Sequence, residues 1–207
     1  QKIERQLQRR RHELKQTQSG SGKGWILIFD NMSIEDVRIV RLRPEQELAA
    51  FDCGNEDLND FLLKDAKDYQ KSLIAVTYLV KHNEEVAAYF SLSNDKLSIK
   101  DSDKSNWRKV KRLFRYSKHR GDYPAVKVGR LAVSRKYQDF DIGSRILDFV
   151  KYTFIDMNRT GCAFVTVDAL RGAVDFYSKN QFKILGPIQQ DPDSLTIPMY
   201  YNLSELV

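Results

Sequence analysis

The sequence has few of the residues that build disulfide frameworks, metal sites or membrane spans. Its 207 residues include two cysteines, Cys53 and Cys162, and three histidines, without a Cys-x-x-Cys pair or a histidine cluster. This scarcity argues against a disulfide scaffold and against a zinc site, and it fits a reducing cytoplasm. No apolar run approaches the roughly 20 residues that a transmembrane helix needs, so we expect no membrane span.

The chain is long enough for one core, and it carries an excess of positive charge. Hydrophobic residues make up 42% of the sequence, which predicts a single sizeable domain. The formal net charge is +6 and the sequence pI is about 9.2. A basic chain of this kind favours a polyanionic partner such as a nucleic acid.

Residues 1–31 differ from the rest in composition. Gln1 to Gln16 is basic and places Ile3, Leu7 and Leu14 along one side of a predicted helix, and Ser19 to Gly24 has the composition of a flexible linker. We interpret residues 1–31 as a basic helical extension with a linker, one that need not be native. Residues 32–207 are then the functional domain.

The most informative stretch runs from Val126 to Leu147. Val126 to Val133 is predicted to be a buried strand, and a short loop leads to a helix that begins near Gly143. Such a loop directs unpaired backbone N–H groups and the positive end of the helix dipole at one point, which suits a pyrophosphate. Spacing alone leaves an ordinary strand–helix connection open as the alternative.

Two motifs in this region resemble those of the GNAT superfamily of N-acetyltransferases. In the acetyl-CoA loop, Gln138, Gly143 and the strand residues Leu131-Ala132-Val133 match, whereas Asp141 stands at the middle glycine and Asp139 adds a second carboxylate. The resemblance implies an α/β fold with a mixed, largely antiparallel central sheet flanked by helices. It also implies that acetyl-CoA is bound by Leu131, Ala132, Val133, Gln138, Asp139, Phe140, Asp141, Ile142, Gly143 and Ser144.

The second motif supplies a candidate catalytic residue. Val165 to Ala169, followed by Ala173, Phe176-Tyr177 and Phe182, resembles a strand and helix of the same family, with Gln181 in place of a glycine. In the family this tyrosine protonates the departing thiolate, a role that the resemblance gives to Tyr177. An unperturbed tyrosine pKa of about 10 keeps the proton available. The alternative is that Tyr177 is a core residue beside Phe176.

A general base is missing from the predicted central strand. No Glu, Asp or His lies between Val126 and Val133, and the three histidines fall elsewhere. A lysine acceptor, with a pKa of about 10.4, would need strong help to lose its proton, whereas an α-amine at roughly 7.7–8.0 is already partly neutral. The absence therefore favours an α-amino acceptor, although a base from another part of the chain would also serve.

A further resemblance and a basic tract point to RNA. Phe51 to Phe61 resembles the opening helix of the toxin-like GNAT branch, whose substrates are aminoacyl-tRNAs and whose partners include antitoxin proteins. Lys104 to Arg120 contains eight Lys and Arg residues, no acidic residue among its seventeen positions, and interleaved aromatics. This tract predicts either a phosphate-binding track or a solvated helix. On the first interpretation the substrate-binding residues are Arg112, Arg115, Lys118 and Arg120.

Three functional hypotheses follow. The first is a cytoplasmic enzyme that moves an acetyl group from acetyl-CoA to the α-amine of aminoacyl-tRNA, with an antitoxin partner and a homodimer as further expectations. The second keeps the chemistry and takes a protein N-terminus or a small amine as acceptor. The third is a GNAT-like fold that has lost cofactor binding and serves as a basic RNA-binding or scaffold module, because Asp139 and Asp141 would repel a pyrophosphate.

Overall fold

The structure, a computed structural model, describes most of the chain between residues 37 and 206. Residues 37–98, 108, 110–112, 121–156, 160–186 and 194–206 are described with their side chains, and residues 14–19 and 22–27 as backbone. The chain divides into two compact units. The first contains residues 1–93, 129–149 and 206, and the second contains residues 94–128, 150–205 and 207.

The first unit contains antiparallel strands and three helices. Its strands are β1 (Leu14–Ser19), β2 (Gly22–Leu27), β3 (Val37–Arg41), β4 (Val76–His82) and the greater part of β5 (Glu85–Ser98), joined by the end of β6 (Asp122–Val133). Its helices are α1 (Glu56–Asp60), a π-helical turn (Phe61–Asp65), α2 (Ala66–Lys71), a 3-10 turn (Arg135–Phe140) and the start of α3 (Ile142–Asp156). The hairpin of β4 and β5 turns at Asn83, as its sequence predicted.

Helices cover both faces of the sheet in the first unit. Phe61 of the π-helical turn stacks on Tyr89, whereas Phe149 of α3 packs edge-on against Phe90. Because successive residues of a strand point to opposite faces, α1 and α2 lie on one face and α3 on the other. Asn55 caps α1, since its Oδ1 atom accepts a hydrogen bond of 3.1 Å from the Leu58 N–H.

The second unit contains the parallel part of the sheet. Its further elements are β7 (Phe164–Leu170), a 3-10 turn (Arg171–Ala173), α4 (Val174–Lys179), β8 (Lys183–Ile184), β9 (Thr196–Asn202) and a 3-10 turn (Leu203–Leu206). The parallel ladder of β6 and β7 runs from Ala125–Phe164 to Lys127–Thr166, while β7 with β9 and β8 with β9 are antiparallel. The expected mixed, largely antiparallel sheet with flanking helices is therefore confirmed.

The N-terminal segment differs from the expectation where it is described. Residues 14–19 and 22–27 pair as the antiparallel strands β1 and β2, with Ser19 opposite Gly22, and β2 continues onto β3. The expected helix end at Gln16 and the described linker residues, 19 and 22–24, are therefore in strands instead, because pairing beside β3 satisfies backbone groups that a solvated linker leaves to water. Residues 1–13 lie outside the described residues, and the boundary at residue 31 stays a prediction.

The basic tract is described only at its centre. Arg108 and residues 110–112 are helical, and Val110 is fully buried in an apolar cluster with Leu97, Tyr123 and Phe164. Val110 is thus the described residue through which the helix of this tract packs against the apolar cluster. Of the predicted substrate-binding residues, Arg112 is helical, and Arg115, Lys118 and Arg120 lie outside the described residues. In the part of the chain that is described, no helix is long and apolar enough to cross a membrane.

Candidate active site

The predicted cofactor loop follows directly from the end of β6. The strand ends at Val133, residues 135–140 form one 3-10 turn, and α3 begins at Ile142. Asp141 links the two with a φ of 54°, in the left-handed region that aspartate tolerates better than most residues. The sequence thus reaches the same turn with an aspartate where the resembled motif has a glycine.

Backbone hydrogen bonds hold the start of this loop from two sides. The Ser134 N–H donates to the Ala87 carbonyl oxygen of β5 at 2.9 Å, and the Arg135 N–H donates to the Asp52 carbonyl oxygen at 2.9 Å. The Arg135 Nε atom also lies 3.5 Å from the Asp52 carboxylate. The segment Asp52 to Gly54, which precedes α1, is therefore a support for the loop.

Gln138 completes that support. Its Nε2 atom donates to the Cys53 carbonyl oxygen at 3.0 Å and to the Val133 carbonyl oxygen at 3.1 Å. Both amide hydrogens of the side chain are therefore used inside the protein. The sequence predicted a cofactor ligand at Gln138, and the structure gives its side chain a bracing role within the loop.

Gly54 is the position in the support where only glycine fits. Its φ is +87°, and a Cβ atom added there would lie 3.0 Å from Arg135 Nε and 3.2 Å from its Nη2 atom. A side chain at residue 54 would thus strain the backbone and displace Arg135. The sequence analysis used Phe51 to Phe61, which contains this glycine, as a family resemblance and did not predict its contact with the loop.

A second anchor ties the loop to the β4–β5 hairpin. The Tyr137 hydroxyl, on a side chain that is 5% exposed, donates to Glu85 Oε2 at 2.7 Å, and Lys136 Nζ lies 2.5 Å from the same oxygen. The hydrogen bond from Lys136, with that from Tyr137, lowers the pKa of Glu85 below its usual value. Burial, followed by the bond to Glu85, raises the pKa of Tyr137. His82 Nδ1 lies 3.3 Å from the Tyr137 hydroxyl and extends the anchor to β4.

The electrostatics of the loop suit an anion despite its two aspartates. Asp139 and Asp141 are both exposed and both precede α3, whose first turn carries no acidic residue. Arg135, Lys136 and Arg145 outnumber them, so residues 135–145 carry a net charge of +1. Ile142 and Gly143, both buried in that first turn, have no polar side chain. The donors that they offer at the N-terminus of this 15-residue helix are therefore their backbone N–H groups. The residues present therefore fit the pyrophosphate of acetyl-CoA.

The predicted carbonyl-binding residues lie at the end of β6. Ala132 is 4% exposed and packs in the apolar cluster of Leu42, Phe51 and Tyr89, while Leu131 and Val133 are half-buried. Their backbone N–H groups belong to a strand end that the Ser134 and Arg135 hydrogen bonds fix in place. This rigidity is what a preorganised donor to a thioester oxygen requires.

Tyr177 occupies an apolar site in the second unit. Its side chain is 7% exposed and packs edge-on against Phe176 and Phe182, with centroids 5.1 Å and 5.5 Å away. Burial raises the pKa of Tyr177 to about 12. The hydroxyl makes no hydrogen bond to any residue that the structure describes. Tyr177 is thus a buried phenol that keeps its proton, as a general acid must.

A group of polar side chains that the sequence did not single out lies on β5, β6 and β7 in the second unit. The Thr166 hydroxyl donates to Asp95 Oδ2 at 2.5 Å, and Lys127 forms an ion pair with Asp168. Lys127 and Thr166 are the last pair of the parallel ladder. Val126 to Val133 contains no carboxylate, but carboxylates of the neighbouring strands lie close by. Asp168 of β7 pairs with Lys127, and Asp95 of β5 accepts from Thr166.

Comparisons with known proteins agree with this architecture. Residues 108–203 match the family model of the acetyltransferase (GNAT) domain. A solved structure described as a bacterial toxin is 19% identical, with a TM-score of 0.68, over 83% of this chain and 93% of that one. The resemblance to the GNAT superfamily inferred from the sequence is confirmed.

Two solved structures of the toxin AtaT have the same fold as this chain. AtaT complexed with acetyl-methionyl-tRNAfMet is 21% identical, with a TM-score of 0.63, over 83% of this chain and 97% of that one. A tyrosine-to-phenylalanine variant of AtaT bound to acetyl-CoA and the C-terminus of the antitoxin AtaR is 20% identical, with a TM-score of 0.59, over 83% of this chain and 96% of that one. At these identities the likeness concerns the fold.

The support at Gly54 yields a first prediction. Gly54→Ala should destabilise the folded protein by about 1–2 kcal/mol, because alanine is strained at positive φ, and should weaken acetyl-CoA binding by displacing Arg135. Chemical denaturation and calorimetry with acetyl-CoA measure the two effects. Gly161→Ala is the matched control, since no atom lies within 4 Å of its added Cβ. Equal affinities for the two variants would contradict a link between Gly54 and the loop.

The carboxylate at Asp141 yields a second prediction. Asp141→Asn keeps a residue that tolerates the left-handed conformation and removes the charge beside the helix N-terminus. Acetyl-CoA affinity should rise about two- to fivefold, as expected for a charge interacting at a helix end. Calorimetry at low and high salt measures this gain, which should shrink as salt screens it. Unchanged affinity at low salt would mean that the Asp141 carboxylate does not face the phosphates.

Proposed function

We propose that this chain, which carries a GNAT acetyltransferase domain, transfers the acetyl group of acetyl-CoA to the α-amine of aminoacyl-tRNA. The observation that carries the proposal is the loop between β6 and α3, which is held from two sides at its start and braced by Gln138, and which leads into a helix turn without carboxylates. When bound, acetyl-CoA supplies a thioester that an amine can attack. The N–H groups of residues 142–144 would hold its pyrophosphate, and those of residues 131–133 would donate to its carbonyl oxygen.

Tyr177 is the proposed general acid. Its hydroxyl holds a proton with a pKa of about 12 because the side chain is buried. A buried phenol is a better donor to a developing thiolate than to water, since the thiolate is an anion and far more basic than water and the site excludes competing solvent. An ordinary core tyrosine would be buried as well, so burial is compatible with both roles. Kinetic measurements distinguish a general acid from a core residue.

The acceptor assignment rests on charge and on relatives. The net charge of +6 favours a polyanionic substrate. AtaT, which shares the fold, has been solved in complex with an acetylated aminoacyl-tRNA. An α-amine has an unperturbed pKa of roughly 7.7–8.0 and needs little help from a base. Together these points favour aminoacyl-tRNA over a lysine side chain.

The proposed setting and partners follow from the same relatives. The scarcity of cysteine suits a reducing cytoplasm, which is where charged tRNA is found. AtaT has been solved with the C-terminus of the antitoxin AtaR, so an antitoxin that binds this chain is part of the proposal. A homodimer is part of it as well, and sedimentation analysis of the purified chain tests that expectation.

The deciding experiment is mass spectrometry of total tRNA after incubation with the protein and acetyl-CoA. Aminoacyl-tRNA should gain one acetyl group on its amino acid, while deacylated tRNA should gain none. A peptide with a free N-terminus, offered in the same reaction, tests the alternative acceptor. Acetylation of the peptide but not of tRNA would replace the proposed acceptor. A chain that fails to bind millimolar acetyl-CoA would instead support the scaffold hypothesis.

The role of Tyr177 yields a third prediction. Tyr177→Phe removes the hydroxyl and almost no volume, so turnover should fall about 10²- to 10⁴-fold while acetyl-CoA affinity is kept. Tyr200→Phe is the matched control, because Tyr200 is also a buried tyrosine of the second unit, 5% exposed. Steady-state rates and calorimetry on both variants measure the effect. Equal turnover in the two variants would return Tyr177 to the role of a core residue.

The pH dependence of the same reaction follows from the pKa of Tyr177. The rate should rise through about pH 7.7–8.0 as the acceptor amine loses its proton. It should then stay level to about pH 10, because a donor with a pKa of about 12 is still protonated there. The measurement is kcat against pH with saturating substrates. A fall that begins near pH 9 would mean that another acid with a lower pKa is involved.

A further inference from the structure

Arg130 is a cation in the first unit that the candidate site has not yet used. It lies in β6 immediately before Leu131, and its side chain is 39% exposed. Its guanidinium lies over the Phe61 ring, 5.1 Å from the centroid. Stacking on an aromatic face fixes the plane of the guanidinium, which prepares its N–H groups to bind an oxyanion from one direction.

Most hydrogen-bond donors of Arg130 have no partner among the described residues. A guanidinium has five N–H groups. One bond is present, from Nη1 to the Gly129 carbonyl oxygen at 3.0 Å. The Nε atom is buried without a hydrogen bond, and the nearest carboxylate oxygen, on Asp57, is 4.0 Å away, too far for one. Because Nε is closed off from solvent, an anion would accept from the Nη atoms of this half-exposed side chain, whose only described bond is the one to Gly129.

The position of Arg130 indicates which molecule would bring that anion. Arg130 contacts Phe61, so it lies on the face of the sheet covered by α1 and α2, whereas α3 packs on the other face against Phe90. The proposed phosphate site for acetyl-CoA is the N-terminus of α3. An anion at Arg130 therefore belongs to a different molecule, the acceptor, whose amine must reach the thioester held beside Leu131.

We propose that Arg130 binds a phosphate of the 3′-terminal nucleotides of the acceptor RNA and thereby places the aminoacyl group beside the end of β6. This inference rests on the proposed function, in which the acceptor is aminoacyl-tRNA. The phosphodiester closest to an aminoacylated ribose is the oxyanion nearest the reacting amine, and arginine suits phosphate because its N–H groups bind two oxygens at once. Asp57 is 80% exposed and does not close the site.

The test compares an acceptor that carries phosphodiesters next to its aminoacylated ribose with one that carries none, and the arginine variants separate the effect of phosphate from that of the extra nucleotides. One is the aminoacylated trinucleotide cytidine-cytidine-adenosine, and the other is aminoacyl-adenosine, each carrying the amino acid that the wild type acetylates on tRNA. Arg130→Gln should raise KM about 10- to 100-fold for the trinucleotide, should leave KM for aminoacyl-adenosine unchanged, and should not alter acetyl-CoA affinity. Arg130→Lys, which keeps the charge but loses the paired N–H groups, should fall between the wild type and Arg130→Gln.

Arg38→Gln is the matched control for lost positive charge in the same unit. Arg38 already pairs with Glu84 at 3.1 Å, so this variant should keep the wild-type KM for both acceptors. Equal effects of Arg130→Gln on the two acceptors, or an equal effect of Arg38→Gln on the trinucleotide, would overturn the inference. If the wild type acetylates the trinucleotide and Arg130→Gln does so equally well, the inference fails while the proposed function stands. If the wild type acetylates aminoacyl-tRNA but neither short acceptor, recognition needs more of the RNA than its three terminal nucleotides, and the inference fails while the proposed function stands.

Discussion

The hydrogen bonds at the end of β6 are the constraint on which the candidate site depends. The N–H groups of Ser134 and Arg135 are bound by β5 and by the segment before α1, and Gln138 binds that segment again three residues later. A loop between a strand and a helix would otherwise sample many conformations, at an entropy cost of roughly 1–2 kcal/mol per residue when a ligand ordered it. With the loop already ordered, ligand binding does not have to supply that free energy. Preorganisation is the main contribution of this part of the chain.

In the loop, the groups that attract a phosphate and the carboxylates that repel it lie at different positions. Lys136 is bound to Glu85, and Arg135 lies beside Asp52, so two of the loop's cations are partly neutralised by residues outside it. The two aspartates are exposed, where water screens them, and the first turn of α3 has no acidic side chain. Backbone N–H groups are thus the main attractive feature for a phosphate. This explains how the loop can depart from a glycine-rich motif and still present an anion site.

Local sequence patterns predicted the strand, the loop and the helix, because these depend on neighbours along the chain. The buried strand from Val126 to Val133, the short loop and the helix that begins near Gly143 were all predictable from the residues of that stretch alone. The bracing role of Gln138 was not visible, because its partner Cys53 lies 85 residues away in sequence. Asp95 and Thr166 were missed for the same reason, since β5 and β7 meet only across β6.

The N-terminal strands illustrate a different limit of sequence reasoning. Leu14 to Ser19 has no apolar alternation and reads as polar helix or linker, yet it pairs with Gly22 to Leu27. Strand propensity depends strongly on what lies beside the segment, and here the neighbour is β3. A segment with weak preferences of its own adopts the structure of the edge to which it is added.

The contact between Gly54 and Arg135 has a consequence for how this sequence can diverge. The two residues lie 81 positions apart but share one small volume, because a Cβ at residue 54 would stand 3.0 Å from the Arg135 guanidinium. A side chain at residue 54 would therefore need the Arg135 guanidinium to move away from Asp52, or a shorter residue at position 135, besides the strain of a positive φ. Substitutions at residues 54 and 135 should therefore tend to occur together among descendants of this chain.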